Sequence, residues 1–235
     1  MKKMLTLVMF VTTIVSYTLH GQELTSKGLV GGLNLSNVSS DEIEKNSPKL
    51  GFALGGFLTF KLGEKFALRP EVYYTNKGYI SEFEISSLSS QLDASVKYVE
   101  TFSLNYIEIP LLGVFSLTKN LNVFAGPYLD FFLSGELEIK IDGHYNTNDT
   151  GVWEYTNLDG SDSEDINSDD INSIGYGLTF GGEYLIGQFS IGARYSLGLS
   201  NIPDESVIQD ENVWPVGSVF DSKHINIQLL VGFYF

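Results

Sequence analysis

From Phe189 to Leu199 every second residue is apolar and nearly all are large, namely Phe189, Ile191, Ala193, Tyr195, Leu197 and Leu199, while Ser190, Gly192, Arg194, Ser196 and Gly198 stand between them. A period of two is the signature of a β-strand, whose side chains point to opposite faces in turn. The same pattern precedes it, with Ile174, Tyr176, Leu178 and Phe180 alternating against Gly175, Gly177, Thr179 and Gly181. It returns at the C-terminus, where Ile225, Ile227, Leu229, Val231, Phe233 and Phe235 oppose His224, Asn226, Gln228, Gly232 and Tyr234. A soluble sandwich also alternates, but its polar face meets water and carries many Lys and Glu. Here the polar face is Gly, Ser and Thr, and only 18% of the chain is charged. Small polar residues suit the crowded interior of a narrow barrel whose greasy face meets lipid.

Segments of this kind fall at about 27–36, 49–61, 66–76, 101–117, 121–140, 173–185, 188–200 and 223–235. The connections between them alternate in length. Asn37–Pro48, Lys77–Glu100, Ile141–Asn172 and Asn201–Ser222 are long, whereas Leu62–Lys65, Thr118–Asn120 and Ile186–Gly187 are short. The reading is an all-β protein, an eight-stranded antiparallel transmembrane β-barrel with short periplasmic turns and long acidic extracellular loops. In the fourth segment Ser103 and Asn105 differ in parity from Glu108, although all three suit the lumen, so a β-bulge is expected near Tyr106 or Ile107.

Residues 1–21 read as a signal peptide ahead of a barrel domain over 22–235. Lys2 and Lys3 form a basic start, Met4 to Leu19 an apolar core, and cleavage after Gly21 would leave Gln22 first. No later run reaches the ~18–20 apolar residues of a membrane helix. Export without a helical anchor, together with the lipid-facing alternation, places the protein in the outer membrane.

Charge narrows the function classes. With 29 acidic against 14 basic residues the chain carries −15, which argues against a nucleic-acid partner, since phosphate binding needs a basic face. The chain has no cysteine, which removes disulfides, thiolate metal sites and a cysteine nucleophile. Acidic residues crowd the long connections. The third holds Asp142, Asp149, Glu154, Asp159, Asp162, Glu164, Asp165, Asp169 and Asp170, and the fourth Asp204, Glu205, Asp210, Glu211 and Asp221, with no Lys or Arg in either. This is a solvated outer rim, or one that gathers the divalent cations bridging lipopolysaccharide. Asp159–Asp165 lacks the spacing of a calcium loop. Trp153 and Trp214 lie in the same connections as interface anchors, partner contacts or local loop cores.

Both arginines, Arg69 and Arg194, fall at inward positions, as do Glu71, Asp130 and Glu183, with Glu108 beside them. Buried charge is costly unless paired, so these six are expected to form a lumenal cluster that plugs the barrel or gates it. Eight strands leave a lumen that side chains can fill. Catalysis has little to build on. His144 and His224 are the only histidines after the leader, and nothing sets a carboxylate-oriented base beside a nucleophile. The glycine-rich runs Gly51–Gly56 and Gly175–Gly182 precede no helix and make no phosphate cradle. No enzyme activity, metal or cofactor is expected.

Five stretches, Gly28–Ser36, Leu68–Gly78, Leu104–Leu112, Phe124–Tyr128 and Arg194–Ile202, resemble in order the motifs of the PorT-like outer-membrane β-barrel family of Bacteroidetes. The resemblance implies an outer-membrane barrel of the porin-labelled kind, and the founding member is implicated in type IX secretion. The terminal Phe233-Tyr-Phe235 is similar to the aromatic signature read by the barrel assembly machinery, which implies that partner through Phe235. The expected function is that of a non-enzymatic barrel with a structural or interaction role. Its partners would be outer-membrane lipid and lipopolysaccharide, and a protein at the outer loops. The alternative is a transport component, either a narrow pore or a secretion-related subunit. A soluble lipocalin-like binder is disfavoured, because its outer face would be charged.

Overall fold

The computed structural model describes residues 24–39, 46–88, 92–147, 154–166, 171–202 and 222–235. The expected leader over 1–21, both tryptophans and nearly all of the fourth long connection lie outside these residues. The described residues form ten strands: β1 (Leu24–Ser39), β2 (Asn46–Lys61), β3 (Phe66–Leu88), β4 (Leu92–Ser116), β5 (Leu121–Thr147), β6 (Glu154–Asn157), β7 (Gly160–Ile166), β8 (Ile174–Ile186), β9 (Phe189–Gly198) and β10 (Lys223–Tyr234). All pairings are antiparallel. They run β4-β3-β2-β1-β10-β9-β8-β5, and a further β4–β5 ladder joins the two ends of that path. The sheet therefore returns on itself and leaves few free edges.

The count is ten where the sequence predicts eight. The extra two, β6 and β7, come from the third long connection and pair with the outer half of β5, Gly160–Ile166 against Gly135–Ile141 and Glu154–Asn157 against His144–Thr147. The second long connection is also mostly strand. β3 and β4 stay paired out to Leu88 and Asp93. At 23, 25 and 27 residues, β3, β4 and β5 far exceed the ~9–11 residues that cross a bilayer. Their outer halves form a sheet projecting from the barrel. Asp159 ties this sheet together by accepting from Gly143 N (3.1 Å) and Asn157 Nδ2 (2.9 Å). Those two donors hold its carboxyl below the usual carboxylate range. The tie is thus present at neutral pH and is lost as pH falls through that lowered value.

The other end is closed by tight turns. Leu62 N and Leu117 N donate to Phe66 O and Leu121 O, each at 2.9 Å. Between β8 and β9 the turn places Gly187 at φ 63°, a left-handed conformation that glycine adopts without a Cβ penalty.

The register between β4 and β5 shifts between Asn105 and Tyr106, where a bulge is expected, but the extra residue lies on β5 and not on β4. β4 alternates without a break, with Phe102, Leu104, Tyr106, Glu108, Leu112 and Val114 all buried. Asn105 pairs with Ser134 and Tyr106 with Phe132, so the additional residue is Leu133 on β5. Ser103 and Asn105 therefore face outward. Asn105 Oδ1 accepts from Tyr74 OH (2.9 Å) and Asn76 Nδ2 (2.8 Å), and its amide donates to Ser134 Oγ (3.0 Å). This polar row ends the greasy outer band on β3, β4 and β5.

Below that row the outward residues are apolar. Leu33, Leu54, Phe180, Ile191, Leu229 and Val231 are each more than half exposed. So continuous an apolar surface is foreign to water-soluble monomers. On β10 the band runs from Ile225 to Phe235, roughly 24 Å at ~3.4 Å per residue and a ~45° tilt. Phe66 and Phe115 pack at 4.8 Å, and Phe189 and Phe233 at 5.2 Å, near the short-turn end.

Inside the outer mouth, Val38, Tyr79, Phe102, Leu104, Tyr106, Ile171 and Ile202 form an apolar cluster, with Tyr79 and Phe102 stacked at 4.6 Å. Gly78 permits the close approach that this packing needs. Its N–H donates to Ser36 Oγ (2.8 Å), which in turn donates to Gly78 O (2.9 Å). A Cβ there would lie 1.8 Å from Phe102 O, at a φ of +156°. Gly78→Ala is expected to destabilise the barrel by about 1–3 kcal/mol. Gly63→Ala, where nothing lies within 4 Å, is the neutral control. Denaturation midpoints in detergent read the difference.

Candidate functional site: the charged lumen

The inward parity of β3 sets Arg69, Glu71, Tyr73, Thr75 and Lys77 in one file from the short-turn end outward, and all are buried. Each charge on that file meets a strand distant in sequence. Nearest the turns, Arg69 Nη2 lies 2.8 Å from Glu183 Oε1 on β8. Arg69 also donates through Nε to Thr59 Oγ1 (3.3 Å) and through Nη2 to Tyr234 OH (3.1 Å). Glu183 Oε1 accepts from Tyr234 OH and Asn122 Nδ2 as well, both at 2.9 Å. One tier outward, Arg194 Nη2 on β9 reaches Glu71 Oε2 at 2.6 Å, and Tyr73 OH donates to the same oxygen. The Arg194 guanidinium lies over Tyr73 at 5.0 Å and Phe124 at 5.2 Å, a cation–π sandwich strengthened by desolvation.

The third tier holds a cation that sequence reading missed. Lys77 Nζ sits 2.5 Å from Glu108 Oε2 and 3.0 Å from Asp130 Oδ2, between the rings of Tyr106 (5.6 Å) and Tyr128 (5.1 Å). Its residual exposure is 0%, against 3% for each arginine, so it is the most enclosed charge of the three. Lys77 stands where the apolar alternation of β3 gives way to Asn76-Lys77-Gly78, and a loop was expected to begin there. Continuing the odd-number count from Arg69 by four steps would have placed it inside.

The structure brings Arg69 to Glu183, Arg194 to Glu71, and both Glu108 and Asp130 to Lys77. Buried ions need partners of opposite sign and further hydrogen bonds; every tier supplies the partner, while Arg194 Nε and Nη1 and Glu108 Oε1 are left without a hydrogen bond. What the tiers leave open is small. A cavity of about 20 Å³ lies between the first two, and one of about 10 Å³ beside Asp130 and His224. These are at or near the size of a single water. His224 is buried, with Nε2 3.3 Å from Tyr106 OH. His144 stacks on Tyr155 at 5.6 Å in the projecting sheet. Among the described residues no group of three or more His, Asp or Glu is placed to hold a metal.

A closed antiparallel sheet with a greasy exterior and an ion-paired interior accords with one comparison above all. Residues 24–204 match the family model described as outer membrane protein beta-barrel domain. The chain belongs to that family. It is an outer-membrane protein. This assignment corrects the PorT-like one, because five short motifs shared in order reflect the common alternation of barrel strands and do not single out a subfamily.

Among solved structures this outer-membrane barrel is similar to Ail, the attachment invasion locus protein of Yersinia pestis, at 15% identity over 91% of this chain and 100% of that one, with a TM-score of 0.44. It is also similar to Neisserial surface protein A, at 13% identity over 89% and 97%, TM-score 0.37. CarO of Acinetobacter baumannii is matched at 11% identity over 91% and 98%, TM-score 0.32. No curated protein matches the chain in sequence. Within the outer-membrane band, Leu229 is 66% exposed at the middle of β10. Leu229→Arg is expected to cost about 2–4 kcal/mol in a bilayer, and the loss should shrink for the same change at Phe235. Folding titrations into lipid vesicles measure both.

Proposed function

We propose that this barrel is a closed, non-catalytic membrane anchor that presents the acidic sheet of β3 to β7 outside the cell. Three stacked ion-pair tiers carry the reading, because they cross the lumen and, among the described residues, the cavities beside them measure about 10–20 Å³. Gaps of that size would hold about one water and no larger solute. The projecting strands then become the working surface. Glu82 with Lys97 (2.8 Å) and Glu138 with Lys140 (3.0 Å) pair on it, while Asp162, Glu164 and Asp165 on β7 are exposed. That excess of carboxylates favours a basic protein partner, or lipopolysaccharide bridged by divalent cations. At the opposite end Phe235 sits beside Phe233 (6.1 Å) and under Lys27 (5.3 Å). There it would serve as the C-terminal aromatic mark for the assembly machinery.

The test has two readouts. In planar bilayers the protein is expected to add no single-channel steps above leak, and a reproducible conductance would overturn the plugged reading in favour of a narrow pore. In mild detergent, crosslinking from the outer sheet is expected to recover a stoichiometric partner that charge reversal on β7 releases. Recovery of the barrel alone would leave an anchor without a protein partner.

A further inference from the structure

The periplasmic mouth has chemistry of its own. A cavity of about 330 Å³ opens there, lined by residues of β1, β2, β3, β4, β5, β8, β10 and the turns at 62–65 and 117–120. It is therefore set within the ring and not on its outer wall. The first ion-pair tier closes its inner end, so it is a blind cup. Lys61, Lys65 and Lys119 line it, and Glu64 is its sole carboxylate. All three lysines are exposed, and none makes an ion pair among the described residues. Arg69 also lines the cup. Its bonds to Thr59, Glu183 and Tyr234 use Nε and Nη2, and Nη1 takes part in none of them. In a chain of net charge −15, this concentration of cations in one concavity stands out. It faces away from the acidic outer sheet.

We infer that the periplasmic mouth is a binding cup for a phosphate-bearing anion. A compact, doubly charged tetrahedral group can take donors from several ammonium groups at once and from a guanidinium edge. The converging walls focus the positive field on the cup. The volume is at the lower end of small-molecule sites and suits a phosphate carrying a few carbon atoms. Because the ion-pair tier blocks the way outward, the cup captures its ligand without passing it on. The same chemistry is offered by a soluble phosphate monoester and by a phospholipid headgroup.

The probe is glycerol 3-phosphate, titrated calorimetrically into the full-length mature protein in zwitterionic detergent. Saturable one-site binding is expected, weakening as salt rises. The Lys61→Gln/Lys65→Gln/Lys119→Gln variant should raise Kd at least tenfold, and Glu64→Gln should lower it several-fold. Heat-dependent gel mobility checks that both variants remain folded. Lys97→Gln/Lys140→Gln, on the outer sheet, should leave Kd unchanged. Phosphatidylcholine nanodiscs with and without phosphatidylglycerol separate the sources. Equal affinity in both supports a soluble ligand, whereas loss of glycerol 3-phosphate binding only with phosphatidylglycerol supports a headgroup. Absence of saturable binding in detergent, a triple variant that binds like the wild type, or equal loss in the outer-sheet variant would overturn the inference.

Discussion

Lys77→Met is expected to cost the barrel about 3–5 kcal/mol, since it leaves two carboxylates buried without their cation. Glu108 is 0% exposed and Asp130 3%, and Lys77 Nζ is within 3.0 Å of both. The asymmetry of this tier, one ammonium facing two carboxylates, makes a sharper prediction. Asp130→Asn keeps the 2.5 Å contact of Lys77 with Glu108 and removes one of two like charges. It should change stability by less than about 1 kcal/mol, the scale of one hydrogen bond altered in place. Adding Glu108→Gln and Asp130→Asn to Lys77→Met should recover most of the loss, because the orphaned charges are then gone. Urea unfolding in micelles, followed by near-ultraviolet circular dichroism, compares the three variants with the wild type. If Lys77→Met proved as mild as Asp130→Asn, the tier would not be a structural ion cluster.

Arg194→Met should likewise lose about 3–5 kcal/mol, because Glu71 keeps only the Tyr73 hydroxyl. The methionine retains much of the side-chain volume between Tyr73 and Phe124 and adapts to irregular gaps. The lumen should therefore remain filled, with no conductance in a planar bilayer. Arg194→Met/Glu71→Gln should be more stable than either single change. Channels opening in Arg194→Met with little loss of stability would make this pair a gate and not a plug.

Alternation alone located most of the membrane-crossing part of the barrel. β9 and β10 are legible residue by residue, because lipid demands bulk on one face and a narrow lumen demands Gly, Ser, Asn or Gln on the other. The same parity turned Arg69, Glu71, Asp130, Glu183 and Arg194 inward. It stopped short at Lys77, where the greasy half of the pattern ends although the strand does not. Above the membrane the outward face meets water, so Glu82, Glu84, Lys97 and Asp142 replace Leu and Phe. A polar extended strand then reads as loop. β7, Gly-Ser-Asp-Ser-Glu-Asp-Ile, has almost no strand propensity and is ordered by the hydrogen bonds offered by β5.

The bulge shows a related limit. Ser103 and Asn105 are small and polar, and composition sends them to the lumen. The tertiary structure has Asn105 outward, bonded to Tyr74, Asn76 and Ser134 on neighbouring strands, and assigns the extra residue to Leu133. Sequence period and the solvent at each position dictated the class of fold, most of the membrane-facing surface and the inward place of every charge described in the lumen except Lys77. Only the tertiary structure decided which charge meets which, how far the strands reach beyond the lipid, and that a basic cup lies under the plug. Partners such as Arg69 and Glu183, or Arg194 and Glu71, are separated by more than a hundred residues. Their meeting depends on strand stagger and closure around the ring, and a one-dimensional pattern carries neither.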